Sequence, residues 1–226
     1  MCYSFPMPPL FIVFEGPDGA GTTTHALLLA ERLQRDGSTK LTMKGREVVL
    51  TKEPTDGHHG KRIRNALHGS TAPALSAIEG LTTGGKENLS PKEMQELFAA
   101  DRREHVATVI VPALKAGKIV ICDRYVPSTI VYGEVQGLPL AWLKNLNKDF
   151  IQPDLLFLLL PPAHVAWERV RVREHQDVFE REQFQRKVHE GYARYAREHP
   201  EAIVIDTSKL KEECGEEVWR ELGIKN

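Results

Sequence analysis

The sequence predicts an α/β domain built on a parallel sheet, and three observations carry that expectation. Short apolar runs alternate with longer amphipathic stretches, the pattern of strands covered on both faces by helices. The first run, residues 10–14, opens into a glycine-rich turn, Gly16-Pro17-Asp18-Gly19-Ala20-Gly21-Thr22-Thr23-Thr24, which leads into a helix-like stretch. A later run, 119–122, ends in Asp123-Arg124, putting charge at the carboxyl end of a core strand, where open α/β sheets bind ligands.

Taken in order, the strands are expected at 10–14, 47–51, 119–122, 155–160 and 202–205, several of them continuous apolar runs as befits strands buried on both faces. Helices fill the gaps at about 22–35, 61–68, 91–115, 140–149, 163–174, 180–198 and 212–222, the first with Leu27, Leu28 and Leu33 available for burial. Ser90-Pro91-Lys92-Glu93 supplies an N-cap, a first-turn proline and a capping-box acid for the long helix, and Gly117 stops it. The Gly/Ser/Thr/Ala-rich stretch 69–89 reads as an extended, mobile connection. The 226 residues show no repeat and no second domain, so one domain spanning 1–226 is expected.

Composition narrows the function. A net charge of −1 gives no global basic field, so neither nucleic acid nor a membrane surface is an expected partner, and any anion site must be built locally. Cys2, Cys122 and Cys214 lack metal-ligand spacing; so sparse and odd a set fits a reducing cytoplasm better than a disulfide framework. The opening residues lack a basic start, and 155–160 is far too short to span a bilayer.

The glycine-rich turn has the setting and most of the sequence of a phosphate-binding P-loop. Glycines at 16, 19 and 21 allow successive N–H groups to curl around phosphate oxygens, and the following helix points its N-terminal donors at the same anion. Thr23 keeps the hydroxyl that reaches Mg2+, but Thr22 stands where the motif G-x-x-x-x-G-K-[ST] requires lysine. The competing reading is a strand-to-helix turn with no ligand.

Three further clusters matter. Asp123-Arg124-Tyr125, followed by Ser128, Thr129 and Tyr132 in a loop-helix region, can serve Mg2+ and a phosphate, or form a strand-end ion pair. On the long helix Phe98, Asp101, Arg102 and His105 share one face; a base could stack on Phe98 while Arg102 reaches its edge, or Phe98 is core and the charges are solvated. The segment 168–181 carries Arg169, Arg171, Arg173 and Arg181 between two helices, which suits a lid over phosphates or an ordinary surface helix.

In their joint order these motifs resemble the thymidylate kinase family over nearly the whole chain. Phe11-Ile12-Val13-Phe14-Glu15-Gly16 is similar to its opening, Thr51-Lys52-Glu53-Pro54 to its Thr-Arg-Glu-Pro, and Leu97-Phe98-Ala99-Ala100-Asp101-Arg102 to its base-binding helix. Asp123-Arg124-Tyr125, Pro153-Asp154 and Glu190-Gly191-Tyr192 complete the sequence of motifs. The resemblance implies the P-loop nucleoside monophosphate kinase fold with a five-stranded parallel sheet flanked by helices, ATP and dTMP as substrates, Mg2+ as cofactor, dTDP made for dTTP synthesis, and a homodimer.

By the same resemblance, residues 16–24 bind ATP, Phe98 stacks on thymine, Arg102 reaches a ring oxygen and Thr129 addresses the ring N–H edge. Tyr132 lies under the sugar, Asp18 approaches the 3′-hydroxyl, Pro54 packs against the acceptor, and Arg124 holds its phosphate. Thr23 and Asp123 serve the metal. Asp18, Arg124 and Arg173 form the catalytic set, with Arg171, Arg173 and Arg181 in a lid at about 171–182.

The chain departs from the family at three charged or polar positions: Thr22 for lysine, Val178 for the second lid arginine, and Gly133 where many relatives have glutamine. A monophosphate acceptor is largely a dianion at neutral pH and needs no general base, so positioning, Mg2+ and cations carry the catalysis. The expectation is an active enzyme in which lid arginines and Mg2+ supply the missing charge. The alternatives are a non-catalytic protein sensing dTMP or dTTP, and a kinase for dUMP or a modified pyrimidine monophosphate.

Overall fold

The computed structural model describes residues 9–36, 46–69, 89–172 and 178–224. Nearly all of the connection expected at 69–89 lies outside them, as do lid residues 173–177 and the side chains of Arg173 and Arg181.

Five strands, β1 (Leu10–Glu15), β2 (Val48–Lys52), β3 (Ile119–Asp123), β4 (Leu155–Leu159) and β5 (Ile203–Ile205), form one sheet in the order β2-β3-β1-β4-β5. Every neighbouring pair is parallel, which requires a crossover between successive partners. The helices supply those crossovers: α1 (Thr22–Asp36), α2 (His58–Gly69), α3 (Pro91–His105), α4 (Val111–Lys115), α5 (Val126–Val135), α6 (Leu140–Asn147), α7 (Ala163–Arg171), α8 (Val178–Glu198) and α9 (Lys211–Ile224).

Strand alternation sorts the core into two layers. Phe11 and Val13 join Val120, Cys122, Leu156 and Leu158 beneath α3, α4, α5 and α8, whereas Ile12 and Phe14 join Ile121 and Phe157 beneath α1 and α9. Because β1, β3 and β4 are covered on both sides, their sequences show no polar alternation. Cys122 and Cys214 are buried free thiols, and no helix among the described residues is long and apolar enough to cross a membrane.

The expected elements are found within a few residues, with three informative differences. The apolar stripe of α1 is Ala26, Leu29, Ala30 and Leu33, the i, i+3, i+4, i+7 set of one face; Leu27 is one step off that phase and is 46 % exposed. The long helix starts with the capping box of Ser90 and Glu93 but contains a π-helical turn, Val106–Ile110. The widened turn directly precedes α4 and Pro112, whose ring cannot sit against the carbonyl four residues back in a regular α-helix. Finally, α5 is absent from the expected helices because its residues, rich in Val, Ile and Thr, carry no amphipathic period; six of its ten residues are buried.

Gly133, one of the departures from the family pattern, has a packing reason. A Cβ there would lie 2.5 Å from Cδ2 of Leu143, the fully buried side chain that α6 presses against α5. The missing glutamine is thus offset by a leucine in the space it would need. Gly133→Ala in an exposed helix would stabilise by up to about 1 kcal/mol; here overpacking reverses the sign, with an expected loss of about 1–3 kcal/mol. Urea unfolding of Gly133→Ala, with partial recovery in Gly133→Ala/Leu143→Val, checks this.

Candidate active site

The P-loop leaves β1 and enters α1 with Gly19 and Gly21 at φ of +80° and +90°, a conformation that side chains rarely adopt. Several of its carbonyls are taken up by protein donors. That of Gly16 accepts from Nη1 of Arg124 at 3.1 Å, and those of Pro17 and Gly21 accept from the amides of Ala20 and His25 at 3.1 and 3.0 Å. The N–H groups of Gly19, Gly21, Thr22 and Thr23 meet no acceptor among the described residues, which is the arrangement an anion-binding nest requires. Thr22 is buried, 6 % exposed.

At the end of β3, Arg124 takes a φ of +68° while its amide donates to the carbonyl of Phe14 at 2.9 Å. That kink sends the guanidinium back over the P-loop, where Nη2 donates to Asp18 Oδ1 at 2.6 Å and Nη1 lies 3.3 Å from Ser128 Oγ. Asp18 uses its other oxygen to accept from Gln185 of α8 at 2.8 Å. Burial works against the Arg124 charge, but Tyr132, Asp18, Tyr192 and Glu15 around it more than offset that and hold its pKa above the ordinary arginine value.

The kink depends on a residue that the sequence marks only as part of the motif Phe11–Gly16 leading into the P-loop. Glu15 is completely buried. Its Oε1 accepts from the amides of Tyr125 at 2.6 Å and Ser128 at 3.2 Å, and its Oε2 from Ser128 Oγ and Tyr192 OH, both at 2.8 Å. One signal existed, an acid ending an otherwise apolar strand. Burial pushes the Glu15 carboxyl above its usual pKa, against the lowering effect of Arg124, the Tyr125 amide and the two hydroxyls.

Thr23 and Asp123 meet as the motif demands, with Thr23 Oγ1 donating to Asp123 Oδ2. The other carboxylate oxygen, Oδ1, is buried with no hydrogen-bond partner among the described residues. A buried, orphaned carboxylate oxygen beside a hydroxyl is a donor set suited to a hard divalent cation. Both residues line a cavity of about 540 Å³ that also takes in Lys52, at the end of β2. The Lys52 ammonium is exposed, with Asp56 3.9 Å away; sequence reading saw it only as a substitution in a family motif.

The α3 face divides. Phe98 is half-buried and belongs to neither core cluster. Arg102 is 1 % exposed and donates four hydrogen bonds within the protein. Nε donates to Glu53 Oε2 at 2.9 Å, Nη1 to Thr129 Oγ1 and Asn147 Oδ1, and Nη2 to the carbonyl of Tyr125, with Nη2 also in ion-pair contact with Glu53 Oε2 at 2.8 Å. His105 Nδ1 faces Glu53 Oε1 at 3.0 Å and its Nε2 faces Thr51 Oγ1 at 2.7 Å. Asp101 receives both the amide and the hydroxyl of Thr55, and Pro54, between them, follows a cis peptide bond.

The structure therefore brings Asp18, Arg124 and Tyr132 together at the P-loop, while Thr129 is held by Arg102. The Tyr132 ring lies 5.7 Å from the Arg124 guanidinium carbon, and its buried hydroxyl has no hydrogen-bond partner among the described residues. Arg171 stands apart, exposed and paired with Glu168 at 2.7 Å.

A five-stranded parallel sheet with a P-loop after β1 and an acidic strand end on β3 is a P-loop nucleotide-binding architecture, and comparison with known proteins makes the chain an ATP-dependent nucleoside monophosphate kinase. More narrowly, the chain belongs to the thymidylate kinase family, whose model matches residues 14–218. It is 42 % identical to a probable thymidylate kinase of Thermococcus kodakarensis over 87 % of this chain and 89 % of that one. The figure is 34 % for a probable thymidylate kinase of Methanocaldococcus jannaschii, over 88 % of each chain. The crystal structure of thymidylate kinase from Ehrlichia chaffeensis superposes with a TM-score of 0.69 at 28 % identity, covering 95 % of this chain and 99 % of that one.

The raised Glu15 pKa makes a signed prediction. A carboxyl that titrates higher in the folded than in the unfolded chain holds more protons when folded between the two pKa values. Its contribution to stability is then complete below the unfolded value of about 4.5 and is lost as pH rises through the folded one. Relative to Glu15→Gln, the native chain should lose stability with increasing pH above that point, by up to ~1.4 kcal/mol per pH unit. Denaturant unfolding of both proteins across pH 4–8 measures the difference; parallel profiles would contradict it.

Proposed function

We propose that the family's reaction, transfer of the γ-phosphate of ATP to dTMP to give dTDP and ADP, is carried out here by the residues around the P-loop without a P-loop lysine. The observation that supports this most is Arg124, whose guanidinium is held over the loop between Gly16 and Asp18, where a cation serves an acceptor phosphate approaching the donor. The P-loop, residues 16–24, takes the ATP polyphosphate on its free N–H groups. Phe98, at the edge of the core, stacks on the base, and Pro54 packs against the acceptor.

Arg102 donates four hydrogen bonds within the protein, and its contribution in this reading is to fix Thr129 for the base edge. Tyr132 and Asp18 face the sugar. Thr23 and Asp123 are the residues that would hold Mg2+, which supplies charge neutralisation along the polyphosphate when bound. Lys52 adds a cation to the same cavity, and Arg171, Arg173 and Arg181 remain the candidates for lid charge. The family also supports a homodimer and a cytoplasmic location.

The acceptor needs no proton removed at neutral pH, so the side chains orient, neutralise and exclude water rather than shuttle protons. The test is a coupled ADP-release assay with a panel of pyrimidine monophosphates, ATP and Mg2+, with product identified directly. The native chain should form dTDP in preference to dUDP. Arg124→Ala and Arg173→Ala should each lower kcat/KM by about 100- to 1000-fold, the scale of one lost transition-state contact. If dTMP binds by calorimetry while no diphosphate forms, the protein is a sensor and the proposal fails.

A further inference from the structure

Two P-loop carbonyls are held by residues that the reaction scheme does not use. Nη1 of Arg169, in the last turn of α7, donates to the carbonyl of Gly19 at 3.2 Å, and its Nη2 donates to the carbonyl of Thr207, after β5, at 2.7 Å. Thr207 in turn donates its hydroxyl to the carbonyl of Ala20 at 2.8 Å and is 3 % exposed. The backbone of α7 closes the same space, since a Cβ on Gly19 would lie 2.2 Å from the carbonyl oxygen of Ala166.

We infer that Arg169 is a positioning residue for phosphoryl transfer, acting with Thr207 to lock the Gly19 and Ala20 peptides so that their carbonyls face the protein and the neighbouring N–H groups face the donor phosphates. The physical reason is the two-sidedness of a peptide unit. A rotation that turned either carbonyl toward the phosphates would place a negative dipole end in the anion site. Gly19 and Gly21, free of steric restriction, leave that rotation open, so hydrogen bonds from behind must oppose it. Arg169 does this with a charged fork, which donates more strongly than a neutral group and holds a positive charge against the Gly19 carbonyl. Where a P-loop lysine reaches around to the phosphates, this chain braces the loop itself.

The test separates the brace from a direct contact with ATP and from a purely structural role. Arg169→Gln, Thr207→Val and the double variant are assayed for KM of ATP, KM of dTMP and kcat, for thermal unfolding without ligand, and for binding of inorganic tripolyphosphate by calorimetry. Each single variant should weaken ATP and tripolyphosphate by about tenfold, the scale of one charge-assisted hydrogen bond. KM for dTMP should stay within about twofold, and the double variant should lose less than the product of the singles, because both bonds hold one conformation. Loss of ATP affinity with tripolyphosphate unchanged would mean that Arg169 touches the nucleoside instead. Unchanged binding of both, or a loss shared equally by dTMP and matched by a drop in Tm, would also overturn the inference.

Discussion

The carboxylate of Glu15 is the constraint around which the active end of the sheet is assembled. A buried charge costs several kcal/mol unless its lone pairs are filled, and here they are filled from the β3–α5 junction and from α8, which must both be in place. The Tyr125 amide comes from the turn after β3, the Ser128 groups from the first turn of α5 and the Tyr192 hydroxyl from α8. Satisfying Glu15 fixes the β3–α5 turn, and that turn is what forces Arg124 into its left-handed conformation over Gly16 and Asp18. A cation with three protein partners and two flanking anions has little rotamer freedom left to lose, which suits the proposed role of Arg124 at the acceptor phosphate.

A second buried carboxylate performs the same service one loop away. Glu53 ends the β2 segment and neutralises Arg102, while Asp101, the preceding residue on α3, captures the Thr55 amide and hydroxyl. Glu53 is balanced by Arg102, and His105, with Nδ1 facing Glu53 and Nε2 facing Thr51, completes the network. The consequence for recognition is indirect but specific. Arg102 spans Glu53, Asn147, the Tyr125 carbonyl and Thr129, so the position of Thr129 is set by α3, β2 and α6 together.

What was legible in the sequence follows from how local each determinant is. Strand runs, the capping box at Ser90 and the P-loop glycines are read from neighbours in the chain, and they appear in the structure close to where they were expected. The α3 face carried two readings because periodicity says which residues share a side, not what lies opposite. Only the distant partners Glu53, Asn147 and Thr129 decide that Arg102 is buried. Leu27 was misjudged by one step of helical phase, and α5 was missed because burial on most sides removes the amphipathic period that marks a helix. Glu15 and Arg169 carried weak signals for the same reason: their partners sit more than 100 residues away.

The loss of the P-loop lysine looks different once these contacts are counted together. Lysine is a mobile point charge on a flexible stem, whereas arginine is a planar fork whose geometry can be fixed by acceptors. Arg124 and Arg169 both use guanidinium N–H groups on P-loop carbonyls, so the charge near the loop is anchored to the very backbone whose N–H groups must stay aligned. An electrostatic site gains most from dipoles and charges that need not reorganise as the reaction proceeds. On that ground, replacing a recruited ammonium with charges built into the walls sacrifices direct contact with the transferred group but retains alignment, which is the larger share of what phosphoryl transfer asks of a protein.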